Sequence, residues 1–267
     1  MVSPADLFEL EGSAFAELFE GLEEVWEVLD RIKAHTAAMV DSAGRTGALL
    51  RGGGELVPRT VVLYQGRVYD SDFKMLGGDP TKGEMRLLLG GREVRDAAVV
   101  YAGAVFLDDQ VHIAPGTVVE PGALLNGPTY IGPGSEVRQG AYLRGGCLVG
   151  AGCVVGHATE MKNSIMLDGA KAGHFAYLGD SVLGREVNLG AGTKLANLKI
   201  VERPYHIKAG GSVYHVARRK FGAILGDGCQ TGCNSVTNPG SVLGKGCLVA
   251  PCVSVPAGFH KAKSVIR

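Results

Sequence analysis

The decisive stretch runs Ile131-Gly-Pro-Gly-Ser-Glu-Val137-Arg-Gln-Gly-Ala-Tyr-Leu143-Arg-Gly-Gly-Cys-Leu-Val149-Gly-Ala-Gly-Cys-Val-Val155. An aliphatic residue returns at every sixth position, and the residue four places after it is small: Ser135, Ala141, Cys147, Cys153. The series extends back through Leu125, Val119, Ile113, Leu107 and Tyr101, and forward to Met161 and Leu167. It loosens across Leu178, Leu183, Leu189 and Leu195, then resumes at Leu225, Thr231, Thr237, Leu243, Val249 and Val255. A period of six is neither the 3.6 of a helix nor the 2 of an alternating strand. Short flat strands joined by tight turns fit it, with the aliphatic side chain inside and the small residue at each corner. Three such strands make a triangular coil of about 18 residues, and stacked coils lie about 4.8 Å apart. The expected fold is all-β: a left-handed parallel β-helix over residues 99–267, with an ejected loop at about 200–221. A small α/β region over residues 1–98 precedes it. The left hand is an exception to the usual crossover rule.

Composition agrees with a coil of tight corners. Glycine accounts for 41 of 267 residues, roughly twice the usual 7%. Aromatic residues are sparse at 6%, so Val, Ile, Leu and Ala must build the core. Lys and Arg total 27 against 27 Asp and Glu, which removes the field that a nucleic-acid or anionic-membrane binder uses. No apolar run is long enough to span a membrane and the N-terminus lacks a signal-peptide pattern, so a cytoplasmic protein is expected. Four of the six cysteines (Cys147, Cys153, Cys229, Cys247) fall on the small corner position, where a free thiol acts as a small hydrophobe. Cys229 and Cys233 have no second pair at zinc spacing, so no metal is expected.

Ahead of the repeat, Phe15, Leu18, Phe19, Leu22, Val25, Trp26, Leu29 and Ile32 follow helical spacing within Ser13–Met39. The other face is acidic, which suits packing rather than anionic lipid. Arg51–Gly54 reads as a loop. Thr60–Tyr64 and Arg67–Asp70 read as a hairpin around Gln65-Gly66, and Met85–Leu89 as a further strand, together capping the first coil. The stretch 200–221 is basic, with Arg203, His206, Lys208, His215, Arg218, Arg219 and Lys220. It suits either a phosphate-bearing ligand or a solvated charged loop.

Function is expected where the repeat loosens, around Glu160, Lys162, Asn163, His174, Tyr177, Asn188 and Asn197. Arg144 and Lys162 are one coil apart, a basic pair able to hold a phosphate or diphosphate. His174 is the best general base, since imidazole titrates near neutrality. His112 and His157 read as structural. With His174 they do not resemble, in spacing, the zinc carbonic anhydrases built on such coils.

Four segments carry a resemblance. They are Ala141-Tyr-Leu-Arg144, Glu160-Met-Lys162-Asn-Ser, Lys171-Ala-Gly-His174-Phe-Ala-Tyr177-Leu-Gly-Asp180 and Val187-Asn188-Leu-Gly-Ala-Gly-Thr193. They closely resemble the acetyltransferase half of the bifunctional glucosamine-1-phosphate acetyltransferase / N-acetylglucosamine-1-phosphate uridylyltransferase. Ala196-Asn197-Leu through Arg218-Arg-Lys-Phe-Gly-Ala-Ile-Leu-Gly-Asp227 is similar to archaeal-type sugar-1-phosphate nucleotidylyltransferases.

The resemblance implies that His174 is the catalytic base toward the sugar amine, and that Arg144 and Lys162 bind sugar phosphate beside Glu160. It implies that Tyr177, Asn188 and Asn197 contact the sugar, and that Ala191 and Cys233 border the acetyl-CoA co-substrate. It further implies a homotrimer with active sites between subunits. This sequence departs from the pattern after Asn197, where the family's lysines appear as Arg203, His206 and Lys208, and at Gly232-Cys233, where serine is usual. The first hundred residues show no Gly-rich nucleotidyltransferase signature, so that activity is not expected here.

Two readings result. The first is an acyl-CoA-dependent N-acetyltransferase acting on an amino sugar phosphate or nucleotide-linked amino sugar. The second is a non-catalytic trimerising or regulatory β-helix, partnered by a separate nucleotidyltransferase.

Overall fold

The computed structural model describes residues 2–51, 55–83, 85–201 and 203–267. The expected loop at Arg51–Gly54 therefore lies mostly outside the described residues. From Ala98–Val100 to Val265–Ile266 the strands fall in rotation into three parallel sheets. The first face contains Val154–His157, Lys171–His174 and Asn188–Leu189. The second contains Tyr142–Arg144, Glu160–Lys162 and Tyr177–Gly179, and the third Cys147–Val149, Ser164–Met166 and Val182–Leu183. The parallel β-helix expected from the repeat is the observed architecture.

One inward side chain per face stacks on that of the preceding coil. On the first face the column is Val119, Val137, Val155, Ala172 and Leu189, each in register with the next. All except Leu189 are fully buried, and Leu189 is nearly so. The small corner residues tie coils together. Ser135 Oγ donates to the Gly150 carbonyl at 2.8 Å, Thr159 Oγ1 to Ala172 at 2.9 Å, and Cys229 Sγ to Gly244 at 3.1 Å. The corner cysteines thus act as small donors. Burial pushes the Cys147 and Cys153 thiols up to about 12, which keeps them unreactive.

The register corrects the six-residue period at three places. The period puts Tyr101, Leu107 and Leu167 inside, but Val100, Phe106 and Met166 occupy those positions. Phe106 and Ile113 are seven residues apart, and Val155 pairs with Ala172, so that coil has lost one residue. A one-residue slip exchanges the two faces of a strand. Leu167 accordingly points outward from the third face, where it is buried all the same.

The N-terminal segment is what buries it. Leu148, Ile165, Leu167, Val182, Ile224 and Val242 form an apolar outer surface on the third face. Phe15, Trp26, Leu29 and Ile32 pack on it. The helix expected over Ser13–Met39 is observed as Val28–Ala43, preceded by single turns at Ala16–Phe19 and Val25–Glu27. Two local causes delay it. Gly21 adopts a left-handed φ of 69°, and Glu24 turns its carboxylate to accept the Val2 amide at 3.0 Å. At the start of the coil stack, Val61–Tyr64 pairs antiparallel with Ala98–Val100, and Arg67–Tyr69 adds outside it. No helix among the described residues is long and apolar enough to cross a membrane.

Close approach, rather than backbone freedom alone, explains some glycines. A Cβ at Gly156 would overlap the Gly173 carbonyl of the next coil, whereas one at Gly152 (φ 63°) would meet nothing within 4 Å. Gly156→Ala is expected to cost about 3 kcal/mol, by overpacking. Gly152→Ala is expected to cost about 1 kcal/mol, from the left-handed backbone only. Urea midpoints at unchanged m-value check the pair.

Candidate functional site

The corner between the second and third faces shows why the repeat loosens there. At one coil this corner uses two left-handed glycines, Gly145 (φ 89°) and Gly146 (φ 61°). In the next two coils it uses one residue each, Asn163 (φ 45°) and Asp180 (φ 47°). The shorter corner removes a residue from the coil and places a polar side chain where glycine had none. Asn and Asp tolerate this conformation because their short polar side chains bond locally.

Asp180 is the hub of this corner. Its side chain is buried and accepts Asn163 Nδ2 at 2.9 Å from the coil before, and Asn197 Nδ2 at 2.6 Å. Its amide donates to the Lys162 carbonyl at 3.0 Å, and its own carbonyl accepts Gly222 N–H at 2.9 Å. The Phe221 amide donates to the Asn197 carbonyl at 3.0 Å. The chain leaves the coil near Asn197 and rejoins it at Phe221-Gly222, so Asp180 binds both ends of the excursion. Between them the excursion forms an antiparallel hairpin, Tyr205–Ala209 with Ser212–Val216, whose Tyr214 packs edge-on against Trp26 at 5.6 Å.

Around this hub stand most of the expected substrate-binding residues. The register sets Tyr142, Glu160 and Tyr177 on top of one another, with Arg144 and Lys162 at the same edge of the second face. Arg144 Nη1 donates to Glu160 Oε1 at 2.7 Å; both are half-exposed, so the pair contributes little stability. Tyr177 Oη donates to Asn197 Oδ1 at 3.3 Å, and burial raises the phenol's pKa. Lys162 is half-buried. Burial first, then the charges of Lys220 and Arg144, lower its pKa, against the opposing pull of Asp180. Three cations thus gather at this edge, with the Glu160 and Asp180 carboxylates beside them.

His174 ends the strand Lys171–His174 of the first face, at the corner that leads into Tyr177–Gly179 of the second, and is exposed. Its ring stacks on His157 at 5.5 Å and approaches Phe175 at 6.4 Å. Among the described residues its nitrogens have no hydrogen-bond partner. The strand joining the two edges, Tyr177–Gly179, is three residues long, a width of about 10 Å. Ala191 and Cys233 continue the column above His174: the Gly192 amide donates to the His174 carbonyl, and the Asn234 amide to that of Ala191. One coil further the column position is Pro251, which has no N–H. Asn188 stands apart, exposed on the first face between Lys171 and Gln230.

Asp180, Asn163 and Lys220 belong to the site geometry although the repeat does not single out Asp180 or Lys220. The available signal is position: a polar residue replacing the corner glycines of neighbouring coils. Among the described residues no three His, Cys, Asp or Glu side chains gather as a metal site would require.

Residues 125–217 match the family model described as the GMPPB C-terminal domain. A bifunctional sugar-1-phosphate nucleotidylyltransferase/acetyltransferase of Sulfurisphaera tokodaii is 37% identical over 97 residues, 36% of this chain and 24% of that protein. The bifunctional protein GlmU of Stutzerimonas stutzeri is 36% identical over 171 residues, 59% of this chain and 38% of that protein. The chain therefore spans well under half of the relatives it matches. A solved putative acetyltransferase of Bacillus cereus aligns over 58% of this chain and 76% of that one, at 11% identity and a TM-score of 0.32. The similarity to these proteins lies in the β-helical part of the chain.

Replacing Asp180 by Asn keeps the shape but sets a donor against one of the two incoming amides. Asp180→Asn is expected to lower stability by about 1–3 kcal/mol. The Phe221 and Gly222 amides should exchange faster with solvent while those of distant coils, such as Arg138, keep their protection. Native-state hydrogen exchange reads both.

Proposed function

We propose that this chain is an acyl-CoA-dependent N-acetyltransferase acting on an amino sugar phosphate or nucleotide-linked amino sugar. The observation that carries the reading is a solvent-facing imidazole on one side of the narrow strand Tyr177–Gly179 and the cations Arg144, Lys162 and Lys220 gathered on the other. A sugar phosphate anchored at Arg144 and Lys162 lies across Tyr177 and brings its amine toward His174. His174 takes the proton as the nitrogen attacks the thioester carbonyl. The N–C bond forms, the oxyanion is met by main-chain or asparagine donors such as the Ala191 amide, and the C–S bond breaks. The proton held by His174 leaves with the coenzyme A thiolate. Asn197 is assigned to the sugar and Cys233 to the border of the coenzyme site; Asn188, which stands apart in one chain, would reach a sugar only in the site of a neighbouring subunit.

The reading includes a homotrimer in which a neighbouring subunit completes the site. A second reading, a non-catalytic β-helix module serving a separate nucleotidyltransferase, draws on the internal Arg144–Glu160 pair and on Gly232-Cys233 in place of serine.

With acetyl-CoA and glucosamine 1-phosphate or a related amino sugar, thiol release is expected. His174→Ala should slow it by about 10²–10⁴-fold with an unchanged melting temperature. No release with any amino sugar phosphate, together with no heat of acetyl-CoA binding, would leave the second reading standing.

A further inference from the structure

Four cysteines occupy the small inward corner position, and they differ in what they stack on. Cys147 lies between Thr129 and Ser164 of the neighbouring coils. Cys153 lies between Ser135 and Ala170, since Val154 after it pairs with Glu136 and with Lys171. Cys229 and Cys247 stack on each other. The strands that follow them pair Gln230 with Leu248 and Thr231 with Val249, and the Gln230 amide donates to the Cys247 carbonyl at 2.9 Å. Among the described residues this is the one column that holds two cysteines in succession.

The stacking fixes the geometry. Paired strands lie about 4.8 Å apart, which brings the two Cα atoms inside the roughly 4.4–6.8 Å that a disulfide spans. Both side chains leave equivalent corner positions, so their Cβ atoms keep about the same spacing, a little wider than a relaxed disulfide uses. Both thiols are buried, and each donates to a main-chain carbonyl at 3.1 Å, Cys229 Sγ to Gly244 and Cys247 Sγ to Lys261. They also hydrogen-bond to each other. That contact lowers the Cys247 pKa against the opposing effect of burial, and the same contact, followed by burial, raises that of Cys229. A thiol held low beside one held high matches an attacking sulfur and its resolving partner. Beyond Cys247 the column holds Ser264, so local opening of the strands from Gly258 to Ile266 admits a molecule little larger than water.

We infer that Cys229 and Cys247 are a redox modification site, forming a reversible disulfide that staples two successive coils under peroxide. The Cys247 thiolate attacks the O–O bond of hydrogen peroxide and becomes a sulfenic acid. The hydroxide released takes up the thiol's proton as water. Cys229 then attacks the Cys247 sulfur; the S–S bond forms, the S–O bond breaks, and a second water leaves with the Cys229 proton. Two thiols and one peroxide thus give one disulfide and two waters. The wide Cβ spacing strains the bond, which keeps it reducible by thiol exchange. The inference rests on the stacking of the coils and stands apart from the proposed acetyl transfer, which uses neither thiol.

Mass spectrometry of the folded full chain after hydrogen peroxide makes the test. The chain is expected to lose about 2 Da, and dithiothreitol should restore the mass. Peptide mapping without reductant should place the crosslink between Cys229 and Cys247. Replacing the exposed pair, Cys233→Ser with Cys252→Ser, should leave that crosslink in place. Cys229→Ser and Cys247→Ser should each abolish the loss of mass. Serine already fills this corner at Ser135, so both variants are expected to fold, and an unchanged melting temperature checks it. The inference is overturned if the crosslink uses Cys233 or Cys252, if it joins two chains, or if it forms only in urea. It is equally overturned if peroxide leaves the two sulfurs unchanged or adds oxygen without joining them, or if Cys229→Ser still loses the 2 Da of the parent.

Discussion

Each coil of this helix must bend three times, and most bends are made by a residue in the left-handed backbone conformation. The ladder hydrogen bonds run from coil to coil, so the bends must also stack. Glycine serves at most corners, as at Gly116, Gly134 and Gly152 along one edge, because it alone adopts a positive φ without cost. The exceptions among the coil corners are Ala158, Asn163, Phe175, Asp180, Glu186, Asn234, Cys252 and Lys263. At Asn163 and Asp180 they supply the side chains that the glycine corners lack.

The same constraint decides how much of the fold is legible in the sequence. The six-residue period exposes the fold because inward aliphatic and small corner residues recur wherever a coil has its full length. It fails at Leu167 because the corner at Asn163 is one residue short, and nothing in hydrophobicity marks a missing corner residue. Leu167 is buried in either register, inside the coil or beneath the N-terminal segment. The N-terminal helix is legible as an apolar stripe, but its start is not. That stripe runs on through Phe15, Leu18 and Phe19, which are buried in a turn rather than in the helix.

For the site, residue types locate Arg144, Lys162, His174, Tyr177 and Asn197, but their grouping needs the register. Only the stacking shows that His174 and the cations flank one strand while Asn188 faces elsewhere. Asp180 is hidden for a different reason. Its importance comes from binding both ends of a long excursion, a contact between Asn197 and Gly222 that no local spacing announces. The hairpin it secures carries the basic residues Arg218, Arg219 and Lys220 back to the second face.

If the cluster is built for an anion, Lys162 should be maintained there against the interest of the ligand-free fold, being half-buried between Arg144 and Lys220. The most direct measurement is calorimetric titration of Lys162→Met with glucosamine 1-phosphate, beside its melting temperature. Binding is predicted to fall at least about tenfold, as loss of a charge-assisted contact requires, while the melting temperature holds or rises. A variant that binds as tightly as the parent, or that melts far lower with binding intact, would show that Lys162 holds the fold and not a phosphate.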